Sequence, residues 1–322
     1  LSAVVESWHR FDIRRIDDLS NAVLGADLEA IQLAGARVHG SLAFAAHDGI
    51  IFSSGLIGGS VSIRGPLSAN GITLGAIVQT GPGTRLWLSE LVAGDVGVVQ
   101  PGDECDIICT PGSLYVAATL TPRRLRKEAA NEGLALDSRL VSTTGLHSTP
   151  MKSLALNHLR KQVAGIHRSR SNKNGKSAVG SEMLRAVLKH YADFPRIDDA
   201  RLRPAGAAEI VNTAGEYIRR NLGRPISVDA LSRATATSRR SLFRAFSEVL
   251  GESPQGYVRR LRLHRIRREL ISGARTVSDA AHNWGMSGDL GRLSRNYRDL
   301  FGENPSDTLA LGRTLLRDDA WL

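Results

Sequence analysis

The chain has 322 residues, 42% of them hydrophobic and 23% charged, which suits a soluble protein with room for two separately cored domains. No run of about 18 apolar residues occurs and the N-terminus lacks a charged-then-apolar layout, so neither a membrane span nor a signal peptide is expected, and a cytoplasmic location is. The formal charge of +10 is unevenly placed: residues 1–122 carry 6 Lys and Arg against 12 Asp and Glu, residues 123–200 carry 15 against 7, and residues 201–322 carry 21 against 13.

In chain order, residues 10–122 are rich in glycine, with short Val/Ile/Leu runs separated by turn signals: LEAIQLAG, SLAFAAHDGIIFSSG, GSVSIRG, GITLGAIVQTG, TRLWLSELVAGDVGVVQPGD and CDIICTPGSLYVAATL. Short, evenly spaced strands bounded by Gly, Pro, Asn and Asp predict an antiparallel barrel or sandwich. Within ECDIIC, Cys105 and Cys109 fall on one strand face about two pleats apart, too far for comfortable bridging, and are expected as small core residues.

After Pro122 the pattern turns helical. RRLRKEAANEG, MKSLALNHLRKQVAGIH and SEMLRAVLKHYADF carry helical spacing, with a polar, glycine-containing loop at RSRSNKNGKSAVG. These helices either form a dimerisation segment or simply cover the strands. RPAG at 203–206 marks a boundary, giving expected divisions of 1–122, 123–204 and 205–322.

The last division repeats one design. In ISVDALSRATATSRRSLFRAFSEVLG, Ser227 is a predicted N-cap for a helix turning Leu231 and Ala234 inward, and Ser238 caps a second helix with Leu242, Phe243 and Phe246 in its core. In TVSDAAHNWGMSGDLGRLSRNYRDLFG, Val277, Ala280, Ala281 and Trp284 form the first apolar face, and Gly285 permits a sharp turn. Leu290, Leu293, Tyr297 and Phe301 then back a helix beginning near Ser287. A short helix, a tight turn and a second helix of this size make a helix-turn-helix. Between the copies, PQGYVRRLRLHRIRRELISG reads as one long helix. Every basic residue from 201 onward is arginine, whose planar fork suits phosphates and guanine edges.

The runs GESPQGYVRRLRL, VSDAAHNWGMS and SRNYRDLFGENPS, in this order and spacing, make residues of about 208–311 resemble the DNA-binding domain of the AraC/XylS family of transcription regulators. The sequence departs from that family's pattern at Met286 and Leu293, where phenylalanine is usual. The resemblance implies an all-α double helix-turn-helix domain on double-stranded promoter DNA. Its first recognition helix would present Ser238, Arg239, Arg240 and Arg244, and its second Ser287, Asp289, Arg292, Arg295 and Asn296. Arginine pairs naturally with guanine and asparagine with adenine. It also implies that residues 1–122 form a cupin-like sensory barrel, giving an α+β multidomain protein, expected as a homodimer and an activator that contacts RNA polymerase.

Half of the basic residues before position 123 lie in WHRFDIRR, as Arg10, Arg14 and Arg15. Arg10 and Arg14 form an R-x-x-x-R pattern that resembles the arginine pair with which PilZ-type domains bind cyclic di-GMP, which implies a cyclic dinucleotide or other small-molecule effector at these three residues. The companion Asp/Asn-x-Ser-x-x-Gly pattern departs: Asp18-Leu19-Ser20 begins it, but Val23 stands where glycine belongs. Asp12, Asp17 and Asp18 offer an internal offset for the same charge, so both readings stay open. No H-x-H with a following glutamate occurs, and His39 and His47 are isolated; P-loop, HExxH and GxSxG motifs are missing. Neither a metal site, a catalytic residue nor an enzymatic activity is expected.

Overall fold

The computed structural model describes residues 6–35, 37–137, 142–147, 149–168, 175–194, 197–198 and 206–319. The chain divides into two compact units, Leu1–Gln32 with Val38–Arg203, and Leu33–Arg37 with Pro204–Leu322.

The first unit begins with β1 (Glu6–Ile13), a 3₁₀ turn at Ile16–Asn21, β2 (Glu29–Gln32), β3 (Gly40–His47), β4 (Ile50–Ile57) and β5 (Val61–Pro66). It continues with β6 (Ile72–Gln79), β7 (Arg85–Leu86), β8 (Ser89–Glu90), β9 (Val96–Val99), β10 (Glu104–Cys109) and β11 (Ser113–Leu120). Then come α1 (Pro122–Asn131), β12 (Gly145–His147), α2 (Ser153–Arg168), β13 (Gly175–Ser177), α3 (Val179–Asp193) and β14 (Ile197–Asp198).

The strands build two open sheets, not the expected cupin-like barrel: a nine-stranded sheet ordered β13-β1-β3-β4-β11-β6-β9-β12-β14, and a five-stranded sheet ordered β2-β5-β10-β7-β8. Turn spacing specifies antiparallel neighbours but not closure, which requires two edge strands to meet. Here the edges of the larger sheet are β13 and β14, contributed from beyond residue 122, and among the described residues they do not pair with each other.

Alternation along the central strands covers both faces of the larger sheet. Ile72, Leu74, Ala76 and Val78 of β6, with Val116, Ala118 and Leu120 of β11, face a core completed by Leu159 and Val163 of α2 and Met183, Val187 and Tyr191 of α3. Two polar anchors on β1 fix these helices. Glu6, only 1% exposed, accepts hydrogen bonds from the backbone N–H of Gly180 and Ser181 at the start of α3, and from Trp8 Nε1. Carboxylate charge at a helix N-terminus is favourable. Next along the same strand face, Arg10 donates from Nε to the carbonyl of His167, in the last turn of α2, at 3.0 Å.

On the opposite face Ile77, Val99 and Leu146 meet Leu86, Trp87, Cys105 and Ile107 of the smaller sheet. Both cysteines are buried and free, and burial pushes both thiols up, Cys109 to about 12.

The second unit is helical: α4 (Ala207–Asn221), α5 (Val228–Ala234), α6 (Arg239–Leu250), α7 (Pro254–Ile271), α8 (Val277–Asn283), α9 (Leu290–Phe301) and α10 (Pro305–Asp319). Helix α7 serves two cores from two faces. Its Tyr257 ring packs 5.8 Å from that of Phe246 on α6, while Leu263, Ile266 and Leu270 join Ala280, Ala281, Leu293 and Tyr297 in the second core. Among the described residues, no helix is long and apolar enough to cross a membrane.

Candidate nucleic-acid interface

The helical unit carries two helix-turn-helix constructions built by the same local chemistry. Ser227 caps α5 by accepting from Ala230 N at 3.1 Å, and Ser238 caps α6 by accepting from Ser241 N at 3.1 Å. Thr276 caps α8 through Asp279 N at 3.0 Å. Helix α9 is capped by Asp289, whose Oδ1 accepts from Arg292 N at 2.8 Å. Each cap satisfies backbone donors that have no intrahelical partner. The second helix thus starts three residues later than Ser287, which lies exposed in the turn. The preceding turn reverses at Gly285, with φ +66°, and spans residues 284–289 where the first spans 235–238.

On α6, Leu242, Ala245 and Phe246 are buried, and Arg239, Arg240 and Arg244 are exposed. Arg239 grips Asp229 of α5 with two hydrogen bonds, Nε to Oδ1 at 2.5 Å and Nη2 to Oδ2 at 2.6 Å. That hydrogen-bonded guanidinium holds the Asp229 carboxyl below its ordinary range. Among the described residues, Arg240 and Arg244 form no ion pair. Phe243, expected in the core, is instead 41% exposed between them. The residue belongs to the outer stripe because it stands one position, about 100°, from Leu242 and out of phase with the Leu242–Phe246 pair. Helical phase was the signal that could have found it.

On α9, Leu293, Tyr297 and Leu300 are buried, and Arg292 and Arg295 are exposed. Leu290, also expected in the core, is 40% exposed at the first helical position. Asn296 is half-buried and lines a groove with Glu252, Arg259 and Arg260.

The arginines of α7 divide by partner. Arg262 donates to the carbonyls of Leu222 and Arg224, closing the α4–α5 loop onto α7. Arg260 pairs with Glu252 at 2.8 Å. Arg267, 2% exposed, pairs with Glu303 at 2.6 Å and lies 4.8 Å from the Phe301 ring centroid. Arg265 sits over the Trp284 ring at 5.9 Å, and Trp284 Nε1 donates to Glu269. These side chains hold helices together; Arg259 and Arg268 of α7 are exposed, as are Arg239, Arg240 and Arg244 of α6 and Arg292, Arg295 and Arg298 of α9.

The N-terminal arginines are placed differently. WHRFDI is itself strand β1, paired with β3, and is not a loop leading into a sheet. Arg10 pairs with Asp12 at 2.7 Å as well as with the end of α2. Arg14 is exposed and Arg15 half-buried, and the backbone N–H groups of both donate to Asp18 Oδ2, at 2.8 and 2.9 Å. Nearby, His167 is buried between the hydroxyls of Ser41 and Ser54, at 2.7 and 2.9 Å; burial, and then the Arg10 charge, lower it to about 4.

Between the two sheets lies a cavity of about 100 Å³ that the sequence did not reveal. It exists because the positions facing it on β6, β9 and β11 are small: Gly75, which pairs with Gly97, and Ala117. The rest of its wall is almost wholly apolar, with Ile63, Ile107, Cys105, Cys109 and Tyr115, and the Tyr115 hydroxyl is engaged by the carbonyl of Ala22.

Residues 231–310 match a protein family described as a helix-turn-helix domain. Over 97 residues the chain is 38% identical to the XylDLEGF operon transcriptional activator of Pseudomonas putida, covering 29% of this chain and 30% of that protein. Over 103 residues it is 29% identical to the probable thc operon regulatory protein of Rhodococcus erythropolis, covering 31% of each. The chain thus spans about 30% of the length of these curated relatives. Among solved structures, a probable AraC family transcriptional regulator from Rhodopseudomonas palustris is 40% identical over 32% of this chain and 96% of that one, with a TM-score of 0.31.

Proposed function

From a C-terminal domain that is a helix-turn-helix DNA-binding domain of the AraC/XylS family, we propose that this protein is a non-enzymatic transcription regulator that binds double-stranded promoter DNA sequence-specifically. One observation carries the reading. Two capped helix-turn-helix units are joined by the single helix α7, and each turns an arginine-bearing face outward. Recognition helices about 34 Å apart meet the same groove one turn later, which suits two such units on one face of a duplex. In this reading Arg240, Arg244, Arg292 and Arg295 contact base edges or phosphates. Arg239, steered by Asp229, Ser238, Ser287, Asp289 and Asn296 complete the two faces. Binding of the full chain to a duplex selected from a random pool tests it. Affinity falls steeply with salt as counterions are released, and Arg240→Ala and Arg292→Ala each weaken binding. Unchanged affinity in both variants refutes the assignment.

Activation is favoured over repression because the Pseudomonas putida relative is named a transcriptional activator. It implies a contact with RNA polymerase, which in-vitro transcription on the selected duplex measures. A homodimer belongs to the same proposal. Leu154, exposed on α2 beside the groove between α2 and α3, supports that surface, and light scattering reads the mass.

For the effector, the structure favours a small uncharged apolar molecule over cyclic di-GMP. Arg10 already has its partners inside the chain, whereas the cavity between the sheets offers an apolar volume of about 100 Å³. An apolar cavity of roughly 150 Å³ is known to take benzene, so one of about 100 Å³ suits at most a molecule of that size. A ligand that binds only the folded state raises its melting temperature. A small aromatic hydrocarbon should therefore stabilise the protein but not an Ala117→Leu variant, and cyclic di-GMP should do nothing. Stabilisation by cyclic di-GMP that Arg10→Ala and Arg14→Ala abolish would reverse this choice; no stabilisation by either leaves a regulator that responds to another small metabolite or is constitutive.

A further inference from the structure

We infer that Phe243 reads a thymine methyl group in the major groove, making the first helix-turn-helix unit selective at one base pair by apolar contact. The inference rests on the DNA-binding reading above. Along α6 the residues Arg240, Phe243, Arg244 and Ser247 follow the i, i+3, i+4, i+7 spacing of one helix face, opposite the buried stripe of Leu242, Ala245 and Phe246. A phenyl ring 41% exposed in the middle of that face contributes less to the core than its neighbours, which are fully covered. Arginine neighbours on both sides mark the patch as one that meets an anionic surface, which an apolar protein groove is not.

The major-groove edge of DNA offers one apolar feature, the C5-methyl of thymine, and aromatic side chains are among its natural partners. Arg240 and Arg244 would then flank it on guanine edges or phosphates. Arg239 contributes a different kind of contact, because Asp229 already holds two of its nitrogens. A second observation sharpens the assignment. The two units align through their shared endings, VLG at 249–251 and LFG at 300–302, which sets Ser294 of α9 at the position of Phe243 and Arg295 at that of Arg244. The arginine recurs and the aromatic ring does not, so the methyl contact belongs to the first unit alone.

The test uses the full chain on a duplex selected from a random pool. If no sequence is enriched, the DNA-binding reading fails before this one is reached. With an enriched duplex, each thymine is replaced in turn by deoxyuridine, which removes only the methyl group. One replacement should weaken wild-type binding about fourfold, the effect of one buried methylene-sized group. Phe243→Ala should bind the thymine and deoxyuridine duplexes equally, while Phe243→Leu keeps part of the difference. Circular dichroism checks that both variants fold, as expected for a substitution on an outer face. Equal wild-type affinity for every deoxyuridine duplex, or a full methyl effect retained in Phe243→Ala, overturns the inference. So does a Phe243→Ala variant with intact DNA binding but lost transcription, since the ring would then meet a protein.

Discussion

The two helix-turn-helix units share a plan but are secured to α7 with different thoroughness. Each ends in a Gly-Glu-x-Pro loop, GESP at 251–254 and GENP at 302–305, whose glutamate reaches an α7 arginine. In the second unit Arg267 lies within hydrogen-bonding distance of Glu303 at 2.6 Å and of Tyr297 Oη and Thr308 Oγ1 at 3.4 Å each; Thr308 in turn donates to Glu303 at 2.7 Å. In the first, Arg260 and Glu252 meet at 2.8 Å, but Glu252 Oε1 and Arg260 Nη1 have no hydrogen-bond partner among the described residues. Burial consequently raises the Glu252 carboxyl despite the neighbouring guanidinium. A buried ion pair holds its elements firmly only when its remaining donors and acceptors are also satisfied.

The largest expected effect tests that contrast directly. Arg267 is almost fully buried but Glu303 is 30% exposed, so Arg267→Ala should lower unfolding stability by about 3 kcal/mol, the low end for a broken buried pair, in chemical denaturation. Arg260→Ala should cost clearly less, and equal losses would erase the difference between the units. Next come the recurring arginines. Arg244→Ala and Arg295→Ala should each weaken binding to the selected duplex by about 1–3 kcal/mol if they read bases. A phosphate contact would instead weaken binding alike on every sequence and lower the salt slope by about 1.

Smaller still are the helix caps. Ser238→Ala and Asp289→Ala should each cost about 1 kcal/mol, and the glycine variants only a few tenths, as read by thermal unfolding. The smallest effect is acid-dependent. The folded Asp229 carboxyl titrates below its ordinary 3.8, so its pairing with Arg239 stabilises above that pH and is lost as pH falls through the folded value. Asp229→Asn should flatten the stability profile slightly below about pH 4.

Much of this was legible in the chain itself. Ser227 and Ser238 cap as expected, Gly285 makes the second turn, and the 3.6-residue pattern located α6, α7 and α9. Caps and helical stripes depend on residues three or four positions apart, so they can be read locally. Charge partition likewise separated an acidic strand-rich part from a basic helical one. The departures are partly local: a turn two residues longer puts the cap of α9 at Asp289 rather than at Ser287, and helical phase turns Phe243 and Leu290 outward despite their hydrophobicity.

What only the tertiary structure decided is non-local. Whether antiparallel strands close depends on edges far apart in sequence, and here β13 and β14 keep the larger sheet open where a barrel was expected. Which arginines face outward depends on partners that fold against them: Arg10 on the end of α2, Arg262 on the α4–α5 loop, Arg267 in the second core. The cavity depends on small residues from three strands, Gly75, Gly97 and Ala117, coming together opposite a second sheet. A sequence displays side-chain chemistry and local period; the partner that occupies a side chain, or leaves room beside it, is chosen when distant segments pack.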